Sequence, residues 1–294
     1  MATVAPPQKK KFDAGLAQAE RVIELISQVD KWEKPWFANG LPFNPITKHT
    51  YRGSNTFYLQ LMNMVYGYSD NRWVTFKQIT ENGGNLNKGA KSAMILFFKP
   101  IIKPSKDDPT KDEVVGIATR YYNVFNVEQT TGLNLPEIEK PYIDFTPVET
   151  AEDIVNNYNG RPSILHGFHL ACYLPLTHEV KMPNRDVFKS TEDYYVTLFH
   201  ELTHSTGHKS LIGRLDSVDS TDKMDSYAKE ELVAELGATM LCGITGITGT
   251  ESNNAAYLKS WFGKLKNDPM LLIRASRDAQ KAIDYILGTQ FADN

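Results

Sequence analysis

Two histidines and one glutamate lie close together in the C-terminal half of the chain, as His200, Glu201 and His204. Residues four apart share one face of an α-helix, so both imidazoles could bind the same metal ion. Glu201 would project beside them, as a general base for the water that such a metal activates. The spacing predicts a hydrolytic site with one divalent metal as cofactor, zinc being expected and manganese or cobalt possible substitutes.

The sequence around this motif is typical of a helix of ordinary length. Ser190 and Asp193 resemble a capping box, and Gly207 lies where a C′ glycine would end the helix. A buried side of the helix is expected from its apolar residues, Val196, Leu198, Phe199 and Leu202. The alternative is a pair of hydrogen-bonded histidines on a polar helix face, and the helical context argues against it.

A third metal ligand is expected on a second amphipathic helix, where Glu231 and Glu235 lie one turn apart. Their spacing resembles that of thermolysin-like gluzincins, in which the first acid binds zinc and the second orients a ligand histidine. The resemblance implies Glu231 as the third ligand and Glu235 as the orienting carboxylate behind it. Glu230 is the competing ligand, and a solvated acidic helix face is the alternative without any metal.

The composition is that of a soluble globular protein, with 294 residues of which 41% are hydrophobic and 23% charged. Its cysteines, Cys172 and Cys242, are too few for a disulfide framework and lack the spacing of a zinc site. No apolar run is long enough to cross a bilayer, and the first residues lack the hydrophobic segment of a signal peptide. We therefore expect a cytoplasmic protein with no membrane partner.

The net charge of −3 conceals an uneven distribution along the chain. Residues 1–103 contain 14 Lys and Arg against 7 Asp and Glu, whereas residues 104–294 contain 18 against 28. A basic first part indicates a polyanionic partner. The acidic remainder is expected to face a protein, or the basic part of its own chain.

Hydrophobic periodicity predicts an α+β protein with two domains, residues 1–140 and 141–294. In the first domain we expect helices at 13–30 and 55–66, and a hairpin of strands 91–98 and 114–125 with a long polar connection. The boundary is placed in 133–147, which three prolines interrupt. The second domain is expected to end in two helices, 254–267 and 269–287.

One stretch of the second domain, 164–176, is predicted to be extended, because Phe168, Leu170, Cys172 and Leu174 occupy alternate positions and would point to one face of a strand. In zincins a strand beside the metal helix pairs with an extended peptide substrate. Residues 169–175 are the candidate for this β-augmentation. An interior strand of the sheet is an equally good interpretation.

Aromatic and basic residues are interleaved through residues 31–91. Proteins that bind single-stranded nucleic acid need rings on which bases stack and cations that follow the phosphates. The candidate DNA-binding residues are Trp36, Tyr51, Arg52, Arg72, Trp73, Lys77, Lys88 and Lys91. Large rings belong to a core more often than to a binding surface, so burial of the same rings is the alternative.

Several longer motifs occur together in one known family. The first domain contains Pro35-Trp36, Tyr51-Arg52-Gly53-Ser54-Asn55 and Arg72-Trp73-Val74-Thr75-Phe76-Lys77-Gln78. The second contains His200-Glu201-Leu202-Thr203-His204, Thr206-Gly207-His208, Arg214-Leu215 and Glu230-Glu231-Leu232-Val233-Ala234-Glu235-Leu236. The residues of these motifs and their order along the chain resemble those of ArdC-type antirestriction proteins, and the resemblance extends over nearly the whole chain.

This resemblance implies an α+β domain that binds single-stranded DNA, followed by a zincin-like metallopeptidase domain of gluzincin type with a mixed sheet. It also implies a plasmid- or phage-encoded protein that shields incoming DNA from host restriction. Three functions stay open. They are a metalloprotease that uses single strands to find a protein target such as a host restriction subunit, a DNA-binding module with structural zinc, and a general peptidase. Glu201 discriminates the first two, because a structural site has no use for a carboxylate beside its water.

Overall fold

The computed structural model describes residues 12–28, 40–105, 111–135, 147–215, 223–247, 261 and 263–289. Helices and strands occur in both halves of the chain, which confirms the α+β class. The helices are α1 (Ala14–Ser27), α2 (Ser54–Tyr66), α3 (Phe76–Glu81), α4 (Pro147–Asn157), α5 (Thr191–Ser205), α6 (Lys223–Thr245) and α7 (Met270–Ile286). The strands are β1 (Phe43–Asn44), β2 (His49–Thr50), β3 (Trp73–Thr75), β4 (Asn85–Leu86), β5 (Ala93–Pro104), β6 (Asp112–Asn126), β7 (Thr130–Thr131), β8 (Ser163–His166), β9 (Cys172–Leu174) and β10 (Glu179–Met182).

An antiparallel sheet of order β3-β6-β5 organises the N-terminal half. The helices α1 and α2 pack against it, at the positions that periodicity predicts. The Asp13 carboxylate caps α1 by accepting a hydrogen bond from the Leu16 amide at 3.0 Å. The predicted hairpin is confirmed and is longer than expected, since the β5–β6 pairing runs out to Pro104 and Asp112.

The outer part of this hairpin projects from the N-terminal half of the chain. We call its residues, 97–105 and 111–123, the hairpin arm. Near the base, Ala93, Ile95 and Val124 are buried in the main hydrophobic cluster. Nearly every residue of β5 after Leu96, and of β6 before Val124, is exposed, on both faces of the ribbon. The arm therefore holds its shape through pairing between its two strands and not through a covering layer.

A three-stranded mixed sheet of order β8-β10-β9 lies in the C-terminal half. The central strand β10 pairs in parallel with β8 and antiparallel with β9. The expectation of one continuous extended stretch over 164–176 is wrong, because the chain turns between β8 and β9. Gly167 has a φ of 98°, a conformation that favours glycine, and Leu170 in the turn is 78% exposed.

The two halves share one hydrophobic cluster. Phe57 and Trp73 from the N-terminal half are buried in it with Leu232 and Leu236 of α6. An ion pair between Arg52 and Asp284 of α7 also joins the halves. The predicted domain boundary near residue 140 lies outside the described residues, so the limits 1–140 and 141–294 stay a prediction.

A second cluster holds the motif helix. Tyr195, Leu198, Phe199 and Leu202 of α5 are buried there among residues of α4, α6 and α7. In the helical pair expected at the C-terminal end, residues 263–267 and α7 are helical, while 254–260 lie outside the described residues. Among the helices that the structure describes, none combines the length and apolar character of a membrane span.

Candidate metal centre

Helices α5 and α6 form the centre, and a glycine sets how closely they approach. A Cβ atom added at Gly237 of α6 would lie 2.5 Å from Cγ2 and 2.7 Å from Oγ1 of Thr203 on α5. Thr203 is completely buried and its hydroxyl donates to the Phe199 carbonyl at 2.7 Å, so it cannot easily move away. The close packing carries the motif face of α5 onto the acidic face of α6.

Both ends of α5 lie where the sequence predicts them, although of the expected capping box the described hydrogen bonds contain only the one to Ser190. The Ser190 hydroxyl caps the first turn by accepting a hydrogen bond from the Asp193 amide at 3.1 Å. The C-cap is Thr206, so Gly207 is the C′ residue. Its need for glycine is steric, because an added Cβ would lie 2.6 Å from Cγ of Leu215 in the loop that folds back after the helix.

Two imidazoles and one carboxylate converge between these helices. The Nε2 atoms of His200 and His204 are 3.1 Å apart. Glu231 extends one oxygen to each ring, at 3.5 Å from Nε2 of His200 and 3.6 Å from Nε2 of His204. One donor atom from each of the three residues lies within 4.8 Å of the others. Nitrogen and oxygen donors in this arrangement fit one divalent metal.

The far side of each imidazole faces another carboxylate. Nδ1 of His200 is 3.4 Å from Oε2 of Glu235, and Nδ1 of His204 is 3.0 Å from Oε1 of Glu230. A carboxylate at Nδ1 keeps the proton on that nitrogen and leaves the Nε2 lone pair for a metal. Glu235 thus lies where a carboxylate that orients His200 is expected from the resemblance to gluzincins. Glu230 lies behind His204 and is not one of the three converging donors.

Arg214 completes this outer ring and was not predicted as a site residue. Its guanidinium donates to both oxygens of Glu230, at 2.9 and 2.7 Å, and to the Thr203 carbonyl at 2.6 Å. Burial alone would raise the pKa of Glu230, but hydrogen bonds from His204 and Arg214 lower it. The carboxylate is therefore held ionised against His204. The only sequence signal was the Arg214-Leu215 motif.

The charges around His200 favour a cation. Burial alone would lower the pKa of His200, but the carboxylates of Glu231 and Glu235 raise it to about 10. Without a metal, the site therefore attracts a proton to this ring. The same negative charge would favour a divalent cation in place of that proton.

Glu201 lies beside the converging donors on the same helix and is only 8% exposed. Burial raises its pKa, while the charges of His200 and His204 and a hydrogen bond with the Tyr173 backbone oppose that rise. Tyr173 belongs to β9. A buried carboxylate with a raised pKa next to a cation site has the properties of a general base.

The position of strand β9 in its sheet is relevant to the prediction that residues 169–175 pair with an extended peptide substrate. It pairs with β10 on one side, and within the described residues it has no strand on the other. It also contacts α5. An edge position of this kind leaves backbone groups other than the one that Tyr173 uses for Glu201 to an extended peptide, in contrast to the interior strand that was the alternative.

Of the residues expected to bind DNA, two rings are buried and both arginines are in ion pairs. Trp73 is completely buried, and Tyr51 is 4% exposed with its hydroxyl donating to the Trp73 carbonyl at 3.1 Å. Their rings belong to the core, which was the alternative interpretation. Arg52 pairs with Asp284, and Arg72 pairs with Asp70 at 2.6 Å. Trp36 lies outside the described residues.

Three lysines of the predicted set are exposed. Lys77 lies 3.6 Å from Glu81 on the surface of α3, and Lys88 and Lys91 occupy the segment leading into β5. The Lys91 backbone is anchored on both sides by the Gln129 amide group, at 2.6 and 3.0 Å. The side chain is therefore presented to solvent from a fixed backbone.

Two family models match consecutive parts of the chain. Residues 14–125 match the N-terminal domain of the anti-restriction factor ArdC. Residues 149–278 match a zincin-like metallopeptidase family.

Solved structures show the same relationship over nearly the whole chain. The antirestriction protein ArdC of plasmid R388, in its metal-free crystal form, superposes with a TM-score of 0.72 at 31% identity, covering 95% of this chain and 98% of that one. The chain belongs to the ArdC family of antirestriction proteins. The Mn(II)-bound ArdC structure gives a TM-score of 0.71 at 30% identity with the same coverage.

Curated relatives of this ArdC-family chain include longer proteins. An Escherichia coli DNA primase, TraC, is 34% identical over 95% of this chain, which spans only 27% of TraC. A second E. coli TraC is 34% identical over 92% of this chain and 19% of its own length. The protein y4eC of Sinorhizobium fredii is 28% identical over 99% of this chain and 96% of its own length.

Proposed function

We propose that this chain is a cytoplasmic antirestriction protein that binds single-stranded DNA through its N-terminal half and carries a metal-dependent peptidase centre in its C-terminal half. The observation that carries the peptidase part is the convergence of His200, His204 and Glu231 beside the buried carboxylate of Glu201. Membership of the ArdC family supports the antirestriction part.

The ligands of the metal, zinc by preference, are His200, His204 and Glu231, with Glu230 and Glu235 orienting the two rings. A bound divalent metal would polarise the peptide carbonyl and make water a better nucleophile. The Glu201 carboxylate accepts the proton of that water and later donates it to the leaving amine. Strand β9 holds the peptide in extended form, by pairing along its free edge.

Glu201 supports a catalytic centre over a structural one. A metal that only stabilised the fold would need no buried carboxylate beside its open side, and burying one costs free energy. The second candidate function is an intracellular metalloprotease that acts on DNA-bound proteins and uses DNA only for recruitment. The exposed lysines of the N-terminal half favour such a DNA-recruited metalloprotease over a general peptidase that does not bind DNA.

The proposal is tested by incubating the full-length protein with purified host restriction subunits, with and without single-stranded DNA. We expect peptide fragments from the wild type and none from Glu201→Gln, which keeps the size of the side chain and removes its basicity. Mass spectrometry would identify the cut sites. Equal fragmentation by both proteins, or none by either, would refute the peptidase part for this target.

DNA binding is tested separately by electrophoretic band shifts of the same proteins. We expect stronger binding to single strands than to duplex, because unpaired bases can stack on exposed rings. The affinity should fall steeply as salt rises, since phosphate contacts release counterions. Equal affinity for duplex would contradict the stacking argument.

A further inference from the structure

The hairpin arm exposes large apolar side chains that the core does not need. Direct cross-strand pairs share one face of an antiparallel ribbon, and the register pairs Phe97 with Arg120, Ile95 with Tyr122, and Lys99 with Ala118. One face of the arm therefore carries Phe97, Lys99, Arg120 and Tyr122. We call these four residues the aromatic–basic face.

The two rings of this face are built as a pair. Phe97 is 42% exposed and Tyr122 is 45% exposed, and their centroids are 5.4 Å apart at an interplanar angle of 89°. Rings this exposed lose the benefit of burial that normally keeps aromatic residues in a core. Their contact with each other holds them in place, so a flat ligand would meet a preformed surface.

Among the described residues, the cations beside the rings have no counter-charge. Lys99 and Arg120 are exposed, and in the described part of the chain neither forms an ion pair or a side-chain hydrogen bond. The anchored Lys91 precedes the same strand by two residues. Aromatic surface together with unpaired cations suits a polyanion with flat bases, and single-stranded nucleic acid has both properties.

The edges of the arm argue against two other occupants. Pro100 and Pro104 lack amide donors, and Lys99 and Lys103 add charge along β5, so strand addition by a peptide is disfavoured there. A second copy of the chain docked on the same face would bring Lys99 and Arg120 against their own copies. Like charges brought together in this way oppose association.

We propose that the aromatic–basic face of the hairpin arm is the surface on which bases of single-stranded DNA stack. The inference rests on the proposed DNA binding and assigns it to Phe97, Tyr122, Lys99 and Arg120. It replaces the buried rings of Tyr51 and Trp73, which have no face open to a base.

The test uses the full-length chain and a fluorescein-labelled oligothymidine of about 30 nucleotides, long enough for several contacts. Phe97→Ala and Tyr122→Ala should each weaken binding about five- to 150-fold, the range expected for one stacked base. Phe97→Trp should retain binding, because it keeps a stacking ring. Circular dichroism and thermal unfolding confirm that each variant is folded.

Phe98 supplies the matched control. It is the next residue in β5, is 46% exposed, and points to the opposite face, where its partner is Thr119. Phe98→Ala removes the same ring from the same strand and should leave the affinity within about twofold of wild type. Equal losses in Phe97→Ala and Phe98→Ala would overturn the assignment to one face.

The cations are tested through the salt dependence of binding. Lys99→Gln and Arg120→Gln should each reduce the slope of log affinity against log salt by about 0.7, whereas Phe97→Ala should leave it unchanged. If the wild type binds the oligothymidine and all variants of this face bind equally well, the inference is wrong and the proposed DNA binding stands. If the wild type does not bind, the proposed DNA binding itself fails.

Discussion

Two neighbouring glutamates of α6 have different surroundings because consecutive helical residues point about 100° apart. Glu231 faces the Nε2 atoms of both histidines, whereas Glu230 is turned to Nδ1 of His204 and to Arg214. Sequence spacing alone left the choice between them open. At the residue scale, the direction of each side chain makes Glu231 the ligand candidate and Glu230 its support.

This difference gives a matched pair of variants. Glu231→Gln should abolish stable metal binding, because it replaces a charged ligand by a weak neutral one. Glu230→Gln should lower metal affinity about 10- to 100-fold, the usual cost of losing a partner behind a ligand. Metal content by mass spectrometry and competition with a chelator would measure both. A larger loss in Glu230→Gln than in Glu231→Gln would reverse the assignment.

At the scale of elements, the site depends on how closely α5 and α6 approach. We expect Gly237→Ala to destabilise the protein by about 1–3 kcal/mol and to weaken metal binding, because the new methyl group would overlap Thr203. Thermal unfolding and metal titration would measure the two effects.

The control for this prediction is a double-variant cycle. Thr203→Ala removes Cγ2 and Oγ1 and leaves Cβ, which lies 3.1 Å from the added atom. In that background Gly237→Ala should cost much less stability than it does alone. An equal cost in both backgrounds would mean that helix packing against Thr203 is not the reason for the glycine.

A second contact between secondary-structure elements connects the N-terminal part of α5 to α4. Glu152 of α4 accepts hydrogen bonds from Tyr195 of α5 and from Arg185, the latter at 2.9 Å. Burial alone would raise the pKa of Glu152, but these hydrogen bonds lower it below its usual 4.5. The ionised carboxylate is therefore favoured in the folded state.

The stability that Glu152 contributes should be present above the unfolded pKa of 4.5 and disappear as the pH falls through the lower folded value. Glu152→Gln should accordingly lower the melting temperature at neutral pH, with the difference from wild type shrinking in acid. Thermal unfolding over a pH series measures it. A difference that stayed constant down to acidic pH would contradict this account.

At the scale of the whole molecule, the two halves are joined by a common core and by the pair of Arg52 with Asp284. The charge division of the sequence falls within the arm, because β5 up to Lys103 belongs to the basic part, whereas β6 and the metal site belong to the acidic part. An acidic domain does not attract DNA, so the closest partner of the metal half is a protein or the basic half itself. Whether protection of DNA needs the metal half is open to a direct test.

We expect protection of transferred DNA to survive Glu201→Gln, because coverage of single strands already accounts for shielding them. A conjugation assay into restricting and non-restricting recipients, with wild type, Glu201→Gln and the Phe97→Ala/Tyr122→Ala pair, measures it. The arm variant should lose protection. If Glu201→Gln loses protection while still binding DNA, cutting of a restriction component is required, since a general base contributes about 10²–10⁴ in rate.

The sequence by itself determined the motif helix, its caps and the pair of histidines, because these depend on residues within a few turns of one another. The helical and strand periods likewise predicted α1, α2 and the β5–β6 hairpin. Short-range patterns can do this since each element satisfies its own backbone hydrogen bonds.

Only the tertiary structure decided which rings are covered and which carboxylates meet which nitrogens. Trp73 and Phe97 are both aromatic residues in strands, yet one is completely buried and the other is 42% exposed, because α1, α2 and α6 cover the base of the hairpin and leave the aromatic–basic face of its arm exposed. Arg214 reaches Glu230 through a loop that folds back after α5. Such contacts join residues far apart in sequence, and a local pattern contains no record of them.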